Sequence, residues 1–160
     1  MKKKESRERF LALLMLSISA AIFCGIWVAF ASLIGLIGWA GFAGCTTYFS
    51  TGSHGWKGIF RTICTNLLGV ACGLAIIALS NWIPALGNWG IWCAVVTFLM
   101  CILSYFKLFD FCPGAFMGCF CTFAADDWMI LIPSLIAGAF LGFLCDFGGK
   151  WLLKFFRKSK

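Results

Sequence analysis

The chain has 160 residues, of which 62% are hydrophobic and 12% are charged, and its formal net charge is +7. Soluble domains are about 45–50% apolar and about 25% charged, so the composition excludes an ordinary soluble domain. Long apolar runs without the alternation of β-strands predict an all-α integral membrane protein.

The charge distribution divides the chain into three parts. We predict a basic cytoplasmic tail at 1–9, a single transmembrane domain at 10–149 and a second basic cytoplasmic tail at 150–160. The first apolar run lacks a polar break with a small-residue cleavage site, so we interpret it as a membrane helix and not as a signal peptide. Basic residues at both ends are typical of contact with anionic lipid, and we expect the bilayer, not nucleic acid, as partner.

Six transmembrane helices are predicted, near 10–30, 34–51, 58–80, 89–106, 109–125 and 129–149. The segments STGSHGWKG, NWIPALGNWG and AADDW contain the turn-forming residues that separate them. The first division, within AFASLIGLIGWAG, lacks a polar turn of this kind. Gly35, Gly38 and Gly41 indicate either a turn or a close helix contact there.

The positive-inside rule predicts the orientation. Two basic ends in the cytoplasm require an even number of spans. With six spans, Lys57, Arg61 and Lys107 all lie at the inner side. The two outer loops have no basic residue: the loop at 81–90 is uncharged, and the charged residues of the loop at 124–128 are both acidic. Tryptophans near the predicted interfaces fit an aromatic belt.

Two similar phrases suggest a duplication. FAGCTTYF at 42–49 matches FMGCFCTF at 116–123, and each is followed by a polar turn and a tryptophan. The matching units would be 10–82 and 89–155. Because each holds three helices, the second must be inverted, as in many transporters. The glycine pairs Gly69/Gly73 and Gly138/Gly142 favour close helix packing, with interrupted helices at a solute path as the alternative.

Polar residues in the apolar runs are the candidates for a solute path, namely Thr46, Thr47, Arg61, Thr65, Asn66, Cys119 and Thr122. A polar stripe on a membrane helix usually faces other helices or water. Arg61 either extends to the lipid headgroups or pairs with Asp110, which otherwise caps the fifth helix.

Three further residues lie in the predicted turns. His54 is a candidate for gating because histidine changes charge near neutral pH. Asp126 and Asp127 are candidates for an outer entrance. Ordinary loop residues are the alternative for all three.

Catalytic and metal-binding patterns are missing. The ten cysteines include no CxxC pair and there is one histidine, so we expect no metal site and no cofactor. Buried cysteines acting as small hydrophobic residues explain the pattern, and a thiolate site around Cys112, Cys119 and Cys121 is the alternative. The sequence contains no hydrolase motif and no P-loop, so we predict that the protein is not an enzyme.

Three stretches resemble an uncharacterised family of enterobacterial inner-membrane proteins that is defined by a domain of unknown function. They are GLIGWAGFAGCTTYFSTGSHGWKG, CPGAFMGCFCTFAADDW and LIPSLIAGAFLGF. The resemblance implies a multi-pass protein of the bacterial inner membrane and implies no activity.

We therefore predict a small channel or secondary transporter for a small solute or ion, assembled as a homo-oligomer. The alternative is a structural or accessory membrane subunit without transport activity. The two hypotheses differ in whether Thr46, Arg61, Asn66 and the stretch 119–122 line one cavity.

Overall fold

The computed structural model describes residues 2–82 and 89–158, and the side chains of residues 5–82 and 89–158. All regular secondary structure in these ranges is helical, as predicted. The helices are α1 (Lys2–Ala31), α2 (Gly38–Ser50), α3 (Gly55–Trp82), α4 (Trp89–Leu103), α5 (Cys112–Ala124) and α6 (Trp128–Lys158), with a 3-10 turn at Ser32–Ile34. The predicted loop at 81–90 falls largely on 83–88, outside the described residues.

The six helices differ in length. Three segments in the described chain are long and apolar enough to cross a membrane, Glu5–Ile34, Gly55–Trp82 and Trp128–Lys158. Helices α2 and α5 have 13 residues each and α4 has 15, which is roughly 20 Å of helix against a hydrocarbon core of about 30 Å. Length therefore supports three of the six predicted spans. Helices α1 and α6 also include most of the two basic ends.

The division between α1 and α2 uses both features that the glycines indicated. Gly35 has a φ of 74° and makes the turn, while Gly41 lies against the indole of Trp27. The Ile37 N–H donates to the Ser134 hydroxyl of α6 at 2.9 Å, and the Trp27 indole N–H donates to the Gly38 carbonyl at 2.8 Å. The Ser134 hydroxyl thus satisfies one backbone N–H at the start of α2, where an apolar surrounding offers no water.

Helix α6 packs against α1 in the antiparallel sense. Gly149 lies against Leu16, and Gly148 lies against Ser19. The Ser19 hydroxyl donates to the Cys145 carbonyl at 2.9 Å. The missing side chains of the two glycines therefore allow the close approach of the two longest helices.

Helices α2 and α6 run parallel and cross at glycines. Gly44 lies against the Leu135 carbonyl, Gly138 lies against the Gly41 carbonyl, and Gly142 lies against the Tyr48 ring. A Cβ atom at Gly44 or Gly138 would meet backbone atoms. Close backbone approach through small residues is the usual basis of helix association in lipid.

Helices α3 and α5 also run parallel and cross in the same manner. Gly118 lies against the Asn66 carbonyl, Gly69 against the Ala115 carbonyl, and Gly73 against the Thr122 side chain. The two glycine pairs singled out in the sequence are thus packing positions. Helices α2, α3, α5 and α6 form the centre of the bundle. Helix α4 lies at its edge, with only Val96 and Met100 buried.

Candidate functional site

The turn between α2 and α3, residues 51–55, is held by its own side chains. Gly52 and Gly55 have φ values of 64° and 65°, a region that favours glycine. The Thr51 hydroxyl donates to the Tyr48 carbonyl at 2.8 Å and accepts the Ser53 N–H at 3.1 Å. The sequence TGSHG therefore forms a tight, defined turn.

Asp146 of α6 anchors one side of this turn. Its side chain is 8% exposed, and one carboxylate oxygen contacts the Nδ1 atom of His54 at 3.1 Å and the Nζ atom of Lys150 at 2.7 Å. The Tyr48 hydroxyl donates to the same oxygen at 3.3 Å and accepts the Gly55 N–H at 2.9 Å. A buried carboxylate with several donors is a stable arrangement, because the partners replace its lost hydration.

Arg61 of α3 anchors the other side. Its Nε atom lies 2.7 Å from Asp110, and its Nη1 atom donates to the Thr51 carbonyl at 3.0 Å and to the Ser53 hydroxyl at 3.2 Å. The guanidinium also lies 5.7 Å from the centroid of the Phe111 ring. Of the alternatives for Arg61, the structure shows the pair with Asp110, and the residue before α5 makes no side-chain cap.

A cavity of about 150 Å³ opens beside Arg61. Its lining residues come from the start of α3 and the segment before α5, namely Lys57, Phe60, Arg61, Lys107, Leu108 and Asp110. Three cationic side chains against one carboxylate give the lining an excess of positive charge. The cavity can therefore accept an anion or a polar solute with hydrogen-bond acceptors.

The polar stripe of α3 continues from Arg61 into the bundle. Thr65 donates to the Arg61 carbonyl at 2.8 Å, and Thr62, Thr65 and Asn66 are 0%, 0% and 1% exposed. The Thr62 hydroxyl and both polar atoms of the Asn66 amide find no hydrogen-bond partner among the described residues. Native proteins leave few buried polar atoms unsatisfied, so these three are exceptions that a polar ligand or a water could satisfy, although neither Thr62 nor Asn66 lines the cavity beside Arg61.

The other predicted path residues lie at different places relative to this stripe. Thr47 is buried and lies near Thr65, since a Cβ at Gly114 would contact both. Thr122 packs against Gly73, and its hydroxyl donates to the Gly118 carbonyl at 3.0 Å. Cys119 is partly buried between helices, and Thr46 is exposed. Of the predicted path residues, Arg61 lines one of the two cavities described in this section, whereas Thr46, Thr47, Thr65, Asn66, Cys119 and Thr122 line neither. The residues that were to distinguish a channel from an accessory subunit therefore do not line one cavity.

A second cavity, of about 260 Å³, lies between α3, α4 and α5 and is lined by Ile76, Trp89, Gly90, Cys93 and Phe123. Its lining is almost entirely apolar.

Asp126 and Asp127 lie in the exposed turn between α5 and α6. The Asp127 carboxylate accepts the Met129 N–H at 2.7 Å, and the Leu131 N–H donates to the Asp127 carbonyl at 3.1 Å. Asp127 therefore caps α6.

The cysteines meet at a place that the sequence spacing did not indicate. Cys24 of α1, Cys45 of α2 and Cys145 of α6 bring their sulfurs within 4.8 Å of one another. Among the described residues, these three cysteines are the group of ligand side chains close enough together to hold a metal ion. The alternative site around Cys112, Cys119 and Cys121 is therefore not the cluster that forms.

Two residues of the turn network were missed in the sequence. Asp146 is an acid in an apolar run with Lys150 one helical turn later, and a charged residue at such a position is a functional or structural signal. Tyr48 gave no signal of its own, because an aromatic residue in a membrane helix is common. Its role depends on the parallel contact of α2 with α6.

The bundle of long apolar helices, with polar groups collected inside and at one turn, is typical of an integral membrane protein. Residues 17–150 match the family described as "Protein of unknown function (DUF1097)", and the chain belongs to this family.

Three relatives extend the comparison. The chain is 40% identical over 142 residues to the inner membrane protein YcdZ of Salmonella typhimurium strain LT2, covering 88% of this chain and 89% of the relative. It is also 40% identical over 142 residues to the inner membrane protein YcdZ of Escherichia coli K12, with 88% and 87% covered. An uncharacterized Escherichia coli K12 protein, YahC, is 25% identical over 148 residues, with 84% and 89% covered.

No solved structure matches the chain. The predicted family is therefore confirmed, and a location in the inner membrane is supported by the relatives and by the apolar helices.

Proposed function

We propose that the protein is a multi-pass channel or secondary transporter for a small solute or ion. The chain crosses the inner membrane with its six helices in alternating directions, and both termini lie in the cytoplasm. The turn at 51–55 and the cavity beside Arg61 then lie at the inner face. The observation that carries the proposal is the set of unsatisfied polar atoms on Thr62 and Asn66, deeper in the bundle than Arg61.

The helix directions support six crossings. Alternation requires α2 to run parallel to α6, α3 parallel to α5, and α1 antiparallel to α6. The glycine contacts have these directions. Helices α2 and α5 are shorter than the bilayer core, so the barrier at the centre of the bundle is thinner along them than along the long central helices α3 and α6.

We propose further that the two halves are inverted repeats. The contacts of α2 with α6 correspond to those of α5 with α3. The contact of Gly44 with Leu135 matches that of Gly118 with Asn66, and the contact of Gly138 with Gly41 matches that of Gly69 with Ala115. The contact of Gly142 with Tyr48 matches that of Gly73 with Thr122. One constant shift in residue number relates α2 to α5, and another relates α3 to α6. Substrate sites of inverted-repeat transporters lie at such repeat interfaces.

The route begins at the cavity beside Arg61 and turns onto the face of α3 that carries Thr62, Thr65 and Asn66, roughly 140° around the helix from Arg61 to Asn66. Asn66 lies five residues beyond Arg61, or about 7.5 Å along the helix. The Asn66 amide and the Thr62 hydroxyl can form hydrogen bonds with a passing solute at little cost in free energy, because neither must first give up a bond to a partner among the described residues. Leaving them unsatisfied in a dry apolar core would cost about 1–3 kcal/mol for each group.

Flux measurements in liposomes test the proposal. The purified protein is reconstituted, and uptake is followed for a panel of small neutral solutes, inorganic anions and inorganic cations. We expect wild type to conduct at least one of them above empty liposomes. Asn66→Leu should reduce that flux to background, and Arg61→Ala should reduce it several-fold.

Thr46→Val is the matched control, because Thr46 was a path candidate in the sequence and is exposed in the structure. Its flux should equal wild type. Background flux for wild type across the whole panel, or equal flux for wild type, Arg61→Ala and Asn66→Leu, would contradict transport.

The accessory-subunit hypothesis is the second candidate, and one observation favours it. Thr122 and Cys119 pack against α3, and neither they nor Thr46 and Asn66 line either cavity described above, so these residues do not meet in one cavity. An accessory subunit would need a partner surface, and α4 offers exposed Val95, Phe98 and Ile102. The same face would also serve the proposed homo-oligomer.

A further inference from the structure

Three thiols from distant parts of the sequence converge between α1, α2 and α6. Cys145 is 0% exposed and Cys45 is 7% exposed, while Cys24 is partly exposed. Their sulfurs all lie within 4.8 Å of one another. Sulfurs that share one ion through bonds of roughly 2.3 Å lie about 4 Å apart, so small side-chain rotations are sufficient to bring them onto a common atom.

The surroundings of the three thiols are apolar. The residues packed around them are Ala20, Phe23, Trp27 and Leu141. In the described chain the cluster offers no histidine or carboxylate as a fourth ligand. The site therefore provides three sulfurs, no other ligand and no polar solvation.

This environment restricts the ligand by its charge. Thiolates prefer soft ions such as Cu(I) and Zn(II), but three thiolates leave a net charge of −2 with Cu(I) and −1 with Zn(II). An unpaired charge inside a membrane protein is costly. A trivalent thiophilic centre with three sulfur ligands is neutral and needs no fourth ligand.

We propose that Cys24, Cys45 and Cys145 form a binding site for a trivalent metalloid hydroxide, with arsenite or antimonite as its ligand class. Arsenite is an uncharged As(OH)3 molecule near neutral pH, so it can reach the site through the apolar surface at Cys24. The complex formed is a trigonal pyramid with arsenic at its apex.

The binding reaction balances without oxidation or reduction. Three As–O bonds and three S–H bonds break, and three As–S bonds form. Each hydroxide leaves with one thiol proton as water, so three water molecules are released. Arsenic stays trivalent, and the reactants and the bound complex are both uncharged.

Binding is measured on the purified full-length protein in nanodiscs, with arsenite as the probe. Arsenic per chain is determined by mass spectrometry after desalting, and intact mass reports the gain of one arsenic and the loss of three hydrogens. We expect one arsenic per wild-type chain and protection of Cys24, the partly exposed cysteine of the three, from alkylation. Cys24→Ala should weaken binding by more than about tenfold, because one As–S bond is lost.

Cys72→Ala is the matched control, because Cys72 is also buried but belongs to the other side of the bundle. It should bind arsenite as wild type does. Cys24→Ser keeps a polar side chain of similar size and should bind as weakly as Cys24→Ala, which separates sulfur ligation from a packing defect. Thermal unfolding without arsenite checks that each variant is folded.

Several results would overturn the proposal. Unchanged arsenic binding in Cys24→Ala and Cys145→Ala would show that other cysteines bind it. Arsenite-dependent protection of the exposed Cys93 or Cys101 in place of Cys24 would do the same. Tight binding of Cu(I) or Zn(II) to the three cysteines, without arsenite binding, would contradict the charge argument.

Discussion

Two helix crossings in this bundle use the same backbone contact with different side chains. At the crossing of α2 and α6, Gly44 lies against the carbonyl of Leu135, which is 1% exposed and part of an apolar cluster. At the crossing of α5 and α3, Gly118 lies against the carbonyl of Asn66, whose amide has no partner among the described residues. The glycine contact needs only backbone atoms, so it leaves the side chains free to differ.

The difference extends toward the turn at 51–55. The crossing of α2 and α6 ends in a buried network in which Tyr48 and His54 contact Asp146. The crossing of α3 and α5 ends at Arg61 and Asp110, which border an open cavity. One crossing is fully packed and hydrogen-bonded, and the other contains unsatisfied polar atoms. Violations of local rules concentrate at functional sites, so under the proposed transport function the first crossing serves stability and the second serves passage.

The largest effect should come from adding a methyl group at either crossing. In both Gly69→Ala and Gly138→Ala the new Cβ would collide with a backbone carbonyl of the facing helix. Neither helix can move without losing the other glycine contacts. We expect each variant to lose about 3 kcal/mol or more of unfolding free energy, measured by thermal or denaturant unfolding in detergent.

Gly25→Ala provides the control, because nothing lies within 4 Å of a Cβ at Gly25. A helix-interior alanine there should be neutral or stabilising by up to about 1 kcal/mol. A large loss in Gly69→Ala beside a tolerated Gly138→Ala would break the equivalence of the two crossings.

Removal of the acids at the ends of the two crossings, Asp146 and Asp110, should lower the free energy of unfolding by different amounts in the same assay. Asp146→Ala removes the acceptor of three side chains in a buried place, so we expect a loss of about 3 kcal/mol. Asp110→Ala removes a carboxylate that is 42% exposed, so its loss should stay below about 1 kcal/mol. Equal losses would show that the Arg61 side is as tightly packed as the Asp146 side.

The sequence was sufficient for the fold class, the six helices and the glycine positions. Hydropathy and turn residues depend on local chain properties, and α1 to α6 follow them. Lengths were less accurate: α1 and α6 continue through most of the basic ends that were predicted as tails, and α2 begins at Gly38 and not at residue 34. The start of α2 has contacts with Trp27 and Ser134. These partners come from other helices and have no local signature.

The candidate site was predicted in part for the same reason. Thr62, Thr65 and Asn66 share a helix face, so their spacing placed them together, and all three are buried. The pair of Arg61 with Asp110 was one of two alternatives. Asp146 and the three clustered cysteines depend on the approach of α6 to α1 and α2. No spacing along the chain contains that information.

A smaller change in the free energy of unfolding is expected when the crossing of α3 and α5 is made to resemble that of α2 and α6. Asn66→Leu places at this crossing the residue type that the other has at Leu135. Because the amide is buried and unsatisfied, its removal should stabilise the folded protein by about 1–2 kcal/mol. The mirrored variant Leu135→Asn should destabilise it, since it buries an unpaired amide. Thermal unfolding of both variants in one detergent measures the difference, and a destabilised Asn66→Leu would show that the amide has a partner after all.

The smallest expected effect is at His54, which contacts Asp146 while its side chain remains 62% exposed. In His54→Asn the side-chain amide keeps a donor close to the position of Nδ1, whereas His54→Ala removes it. Because Tyr48 and Lys150 still contact Asp146, we expect a loss below about 1 kcal/mol for His54→Ala and less for His54→Asn. The comparison is made by thermal unfolding and by flux. A stable His54→Ala with altered flux would assign gating to the turn, and a loss as large as that of Asp146→Ala would instead make His54 a principal anchor of the packed crossing.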